Sequence, residues 1–177
     1  MTITEATSHD LVILELQLGR VPRGVIGIAA RCVCGAPEVV ATKPRLEDGT
    51  PFPTMYYLTH PAAVKGCSVL EAGKWMEELN QLLADDEQLC VGYAAAHQHY
   101  IAARDAIEEV PEIKDFSAGG MPSRVKCLHA ILGHTLAAGP GVNPIGDILV
   151  ERLIADGLWN PTVCSCLPGQ TPADLAK

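Results

Sequence analysis

The runs "GVIGIAAR" and "EVVATK", separated by "CVCGAP", constrain the fold most strongly. Both are short, aliphatic and bounded by turn residues, so together they predict a β-hairpin. The turn of that hairpin carries Cys32 and Cys34 in C-x-C spacing, and Gly35 follows with the freedom to adopt a positive φ. A tight turn aims two sulfurs in one direction, an arrangement suited to metal binding.

The chain beyond the hairpin changes character. "KPRLEDGTPFPT" reads as a turn-rich loop and "TMYYLTH" as a third strand, stopped by Pro61, which has no N–H to give a ladder. Helices are predicted from there on. Ser68 and Glu71 form a capping box ahead of "VLEAGKWMEELNQLLA", and Asp85 or Asp86 caps "EQLCVGYAAAHQHYIAARDAIEEV". Pro122 suits the first turn of "SRVKCLHAILGHTLAAG", which Gly139 ends; Asn143 caps a last helix with Pro144 in its first turn. Before the hairpin, "SHDLVILELQLGR" reads as a short helix capped by Ser8 or Asp10 and stopped by Gly19, with a strand as the alternative. The expectation is an α+β fold, a small N-terminal antiparallel β unit packed on a bundle of four or five helices. Residues 1–158 form one globular domain and 159–177 an irregular tail.

Composition narrows the function. The chain has 177 residues, 48% apolar and 19% charged, which is a globular balance. Its net charge of -8 argues against a nucleic-acid partner. No apolar run approaches the roughly 20 residues a membrane span needs. The polar start "MTITEATSHD" is unlike a secretory leader, so a cytoplasmic protein with reduced cysteines is expected. Seven cysteines, an odd number, also suit metal ligation or reactivity better than a full set of disulfides.

The segment Ser117–Asp147 concentrates reactive side chains. Cys127 falls near the start of a predicted helix, where the dipole favours a thiolate. On that helix His134 lies on the same side but about 10 Å along the axis, and His129 roughly 160° away. Cys127 therefore needs partners from elsewhere, and Cys32, Cys34 and His60 complete a Cys3His set suited to zinc, with an iron–sulfur cluster as the alternative. The plainer reading makes Cys127 a small buried hydrophobe and His60 a surface residue. Cys164 and Cys166 repeat the C-x-C spacing, and a tail that folds back would displace some of these ligands.

Arg124 and His134 are the expected catalytic pair, facing one cleft beside Cys127. Ser117, Gly119, Gly120 and Asn143, at two loop-to-helix junctions, would offer backbone N–H groups to a small anionic ligand. Alternatively, those loops only turn the chain. His97, Tyr100 and Arg104 form a polar stripe, read as a solvated or interhelical hydrogen-bonding face, and Cys67 and Cys90 read as core thiols.

"LGRVPRG", "RCVCGAP", "DGTPFPTMYYLTHP", "AHQHYIAARD" and "SAGGMPSRVKCLHAILGHTLAAGPGVNPIGD" together resemble the bacterial domain of unknown function 501 family, common in actinobacteria. The resemblance runs from Leu18 to Asp147 and implies no established activity. Neighbouring genes in that family, for enolase, a septum-formation initiator and an exopolyphosphatase-like enzyme, imply a link to cell division or phosphate metabolism. The resemblance also implies functional roles for Cys32 and Cys127, and a His or Cys at the place of His60. It leaves the place of Cys34 variable, so the fourth metal position would be open to water or substrate.

Three expectations follow. One is a zinc protein with an adjoining anion-binding cleft, acting as a hydrolase or transferase on a small phosphorylated or carboxylated molecule. Another is a non-enzymatic, zinc-stabilised interaction protein with a cell-division partner. The third is an iron–sulfur or redox protein.

Overall fold

Strand β2 (Pro37–Thr42) is buried along its whole length because it is covered on both faces. Val40 packs with Ile28 of β1 (Val25–Arg31) and Leu14 of α1 (Ser8–Leu18). Val39, pointing the opposite way, joins Tyr56 and Leu58 of β3 (Tyr56–Leu58) and Leu128, Ile131 and Leu132 of α5 (Leu128–Ala138). This is the two-residue alternation of a strand, with an apolar layer on each side. Each aliphatic side chain removed from water there contributes about 1.5–3 kcal/mol.

The computed structural model describes residues 2–20 and 22–175. The sheet is antiparallel, in the order β1-β2-β3, with Ile28 opposite Val40 and Val39 opposite Leu58. Helices α2 (Pro61–Ala72), α3 (Trp75–Asp85), α4 (Glu87–Asp105), α5, α6 (Pro144–Ala155) and a short α7 (Pro172–Leu175) follow. The fold is α+β as expected, with seven α-helices among the described residues rather than four or five.

Several boundaries moved. Thr7 caps α1 in a reciprocal box with Asp10, and Gly19 ends the helix in the left-handed region. Pro61 does not merely stop β3: it is the first residue of α2, and His60 is the cap. Ser68 therefore lies inside a helix, its hydroxyl donating to the Val64 carbonyl, and caps nothing. Pro122 does not open α5. The Gly119 carbonyl accepts from both the Lys126 and Cys127 amides, which closes residues 119–127 into a loop and delays the helix to Leu128.

The last segment returns across the molecule. Trp159 is buried in the main core and its amide donates to Leu153 O. Residues 159–171 carry two short turns in otherwise irregular chain before α7, and Gln170 donates to the Leu16 carbonyl at the end of α1. That return brings two more cysteines to the hairpin turn.

Candidate metal centre

The hairpin turn is built tightly. The Cys32 amide donates to Ala36 O at 2.9 Å and the Gly35 amide to Cys32 O at 2.7 Å, with Gly35 at φ +90°. Arg31 fixes the turn from below: its guanidinium grips both carboxylate oxygens of Asp10 at 2.7 and 2.9 Å and also donates to Gly35 O at 2.9 Å. The turn is thus anchored to α1, and Ile13, Cys32 and Ala36 form a small apolar cluster there with Cys34, Cys166 and Leu175.

Above the turn, the sulfurs of Cys32, Cys34, Cys164 and Cys166 all lie within 4.8 Å of one another. Cys34 Sγ and Cys166 Sγ are 3.6 Å apart. Four thiolates held tetrahedrally at about 2.3 Å from one zinc-sized ion would stand about 3.8 Å apart. The spacing fits a single metal ion. Burial pushes the Cys32 thiol up to about 11 and raises Cys166 as well, and a bound cation would favour the thiolate form of both. Cys164, at the surface, is held below the ordinary range by the Cys166 backbone amide first and then by the Cys34 side chain. The four clustered cysteines could therefore hold a metal ion.

His60 adjoins the four-cysteine group, within 4.8 Å of Cys32. Its Nδ1 accepts from the Ala63 amide at 3.4 Å, as the cap of α2, so the remaining proton sits on Nε2. Nε2 then donates to Cys166 Sγ at 3.4 Å. Burial lowers the His60 pKa, keeping the ring neutral. Cys32, Glu38 and His60 also converge within 4.8 Å, and burial pushes the Glu38 carboxyl up to about 7.

Of the expected ligands, Cys32, Cys34 and His60 meet at one end of the sheet, whereas Cys127 lies elsewhere. Cys127 is grouped with Glu71 and His129. His129 stands beside Cys127 rather than 160° away because Cys127 is not helical: as the cap of α5 it is extended, with φ -146° and ψ 110°. The cysteines that join Cys32 and Cys34 come from the tail, and their identical C-x-C spacing is the signal that pointed to them.

Of the expected catalytic pair, Arg124 is exposed in the loop before α5, whereas His134 is wholly buried. His134 Nε2 meets His99 Nδ1 at 3.1 Å, its Nδ1 meets the Asn143 side chain at 3.3 Å, and its ring stacks on Tyr56. Burial pushes its pKa down to about 3, which leaves it neutral. At the junctions expected to offer backbone N–H groups to an anion, the side chains and carbonyls of these residues bond within the fold. Ser117 pairs with His97 at 2.8 Å, the Gly119 and Gly120 carbonyls close the loop, and buried Asn143 caps α6 by accepting from Gly146. The Leu128 amide, at the start of α5, donates to Glu71 at 2.7 Å.

Tyr100 and Arg104 of the polar stripe are buried, the Tyr100 hydroxyl accepting from the Met55 amide at 2.6 Å. Arg104 donates to the Phe116 carbonyl and to Asp105. Cys67 is a core thiol, while Cys90 is exposed. Among the described residues no helix is long and apolar enough to cross a membrane.

A family model described as Protein of unknown function (DUF501) matches residues 28–151, which takes in Cys32 and Cys34 and stops short of Cys164 and Cys166. No curated protein and no solved structure matches the chain.

Proposed function

The chain belongs to the DUF501 family, and from that premise we propose that it is a zinc protein whose metal is held by Cys32, Cys34, Cys164 and Cys166. The observation that carries this reading is the mutual approach of four sulfurs within 4.8 Å. Zinc is favoured over an iron–sulfur cluster because a cluster distributes its thiolates over two or more irons, whereas sulfurs this close surround one ion. Four protein ligands complete a tetrahedral shell, the arrangement of structural rather than catalytic zinc. The metal would clamp the C-terminal segment onto the hairpin and α1, with His60 steadying the Cys166 thiolate by an N–H···S contact. A reducing cytoplasmic setting would keep the thiols available to it.

Metal analysis of protein purified without oxygen tests the reading. One zinc per chain without visible absorption is expected, lost in Cys34→Ser and Cys166→Ser and retained in Cys67→Ala. Colour from iron, or equal metal in wild type and Cys166→Ser, would overturn it.

A further inference from the structure

A second thiol site lies apart from the cysteine cluster, at the start of α5. Cys127 Sγ, a ring nitrogen of His129 and a carboxylate oxygen of Glu71 lie within 4.8 Å of one another. The partners of His129 determine its protonation. Nε2 faces the Val64 carbonyl at 3.1 Å, which can only accept, and the Ser68 hydroxyl at 3.2 Å, whose own proton goes to that same carbonyl. Nδ1 faces Glu71 Oε1 at 3.2 Å. Acceptors on both nitrogens call for a proton on each, so His129 is an imidazolium with no lone pair for a metal.

A fixed cation therefore stands beside the sulfur, and Cys127 also caps α5, at the positive end of that helix. Both effects favour the thiolate. Consistent with this, the His129 side chain holds the Cys127 thiol below its ordinary range against the opposing effects of burial and the Glu71 carboxylate, and the His129 pKa is pushed up to about 9. The sulfur opens onto a cavity of about 430 Å³ walled by Leu18, Tyr56, Tyr57, Leu58 and Val64. That volume is of small-molecule size. Apart from His129, no charged side chain lines it.

We propose that Cys127 is a nucleophile that accepts an acyl group from a thioester, with the acyl chain lying in the apolar cavity. The Cys127 thiolate attacks the acyl carbonyl carbon, a new C–S bond forms to Cys127, and the C–S bond to the carrier breaks. The carrier leaves as a thiolate and takes a proton from solvent. The bond formed is of the same kind as the bond broken, so no oxidant or other source of energy is required. Away from His129 the wall is uncharged and largely apolar, which suits an apolar acyl chain. This site shares no residue with the cysteine cluster, and the proposal stands independently of the metal.

The test uses full-length protein with its metal content measured on the same sample. Iodoacetamide at pH 7 should alkylate Cys127 faster than the exposed Cys90, as expected of a thiol that stands beside a fixed cation. The octanoyl thioester of N-acetylcysteamine should then leave one octanoyl group on Cys127, mapped by peptide mass spectrometry, and release one equivalent of free thiol. His129→Gln should slow both reactions without loss of metal, and Cys90→Ser should change neither. Alkylation of Cys127 no faster than Cys90, or unaltered in His129→Gln, would overturn the nucleophile. Rapid alkylation with no octanoyl transfer would overturn the acyl-acceptor role.

Discussion

The sulfurs of Cys34 and Cys166 stand 3.6 Å apart although 132 positions separate them in the chain. Such a pair is close only in the folded protein, so a metal bound there stabilises the native state by mass action. The cross-link should act locally. Trp159 is fixed independently by the core and by its bond to Leu153, whereas residues beyond it reach the rest of the molecule mainly through the cysteines, Gln170 and α7. Chelation, or Cys166→Ser, is expected to speed amide exchange across residues 164–175 while leaving α4, α5 and α6 protected. Hydrogen-exchange mass spectrometry checks this, and equal protection of the tail with and without metal would remove the clamp.

Arg31 links the metal turn to a buried acid. Asp10 is 3% exposed and its carboxylate is held by both guanidinium nitrogens. Removing one partner of a fully buried pair costs about 3–5 kcal/mol, and Arg31 is partly exposed, so Arg31→Met should cost about 2 kcal/mol. Burial works to raise the Asp10 pKa, but Arg31 and Thr7 together bring it below its ordinary value. A depressed acid contributes stability above its unfolded pKa that is lost as pH falls through the folded one. The gap between wild type and Arg31→Met should therefore be full at pH 7 and narrow below about pH 4 in urea titrations. Since Arg31 also holds Gly35 O, the variant should bind zinc more weakly, as read by competition with a chromogenic chelator.

Helices α5 and α6 meet at Gly146. A methyl group there would overlap the Thr135 hydroxyl and stand 2.8 Å from the Thr135 Cβ. Alanine gains up to about 1 kcal/mol of helix propensity over glycine, while overpacking costs about 1–3 kcal/mol. The clash should win. Gly146→Ala is expected to lower the urea midpoint, and Thr135→Ala in the same chain to recover part of the loss. A neutral or stabilising Gly146→Ala would mean that the two helices part readily.

Local signals in the chain were enough to read the α+β class, the hairpin and the Asn143 cap, because each is written in adjacent residues. Two of the misplaced helix starts concern proline. Pro61 following a strand and Pro122 following a glycine pair carry the same local chemistry, and only tertiary context makes the first a helix start and the second a loop residue. The cysteine centre was half legible. Cys164 and Cys166 repeat the spacing of Cys32 and Cys34, but the return of the tail depends on Trp159 finding the core and Gln170 finding α1, contacts with no local sequence mark. The Cys127 site was missed for a different reason: helical geometry was applied to a residue that lies one position before its helix.

His134 offers a test of the polar core. It is wholly buried between His99, Asn143 and Tyr56, and burial, with a smaller effect from His99, pushes its pKa down to about 3. In the unfolded chain a histidine takes up a proton near pH 6.5. Between those values the unfolded state binds one more proton than the folded state at this position, so stability must fall as pH falls. One proton is worth about 1.4 kcal/mol per pH unit. His134→Phe keeps a ring against Tyr56 but removes both hydrogen bonds, which should cost about 1–3 kcal/mol at pH 7. The variant lacks this titration, so the difference from wild type should shrink by roughly 1–2 kcal/mol between pH 7 and pH 5. The cysteine centre and His97 are also sensitive to acid, but they are present in both proteins and cancel in the difference. Urea unfolding at the two pH values provides the measurement, and a constant gap would mean that His134 already carries its proton in the fold.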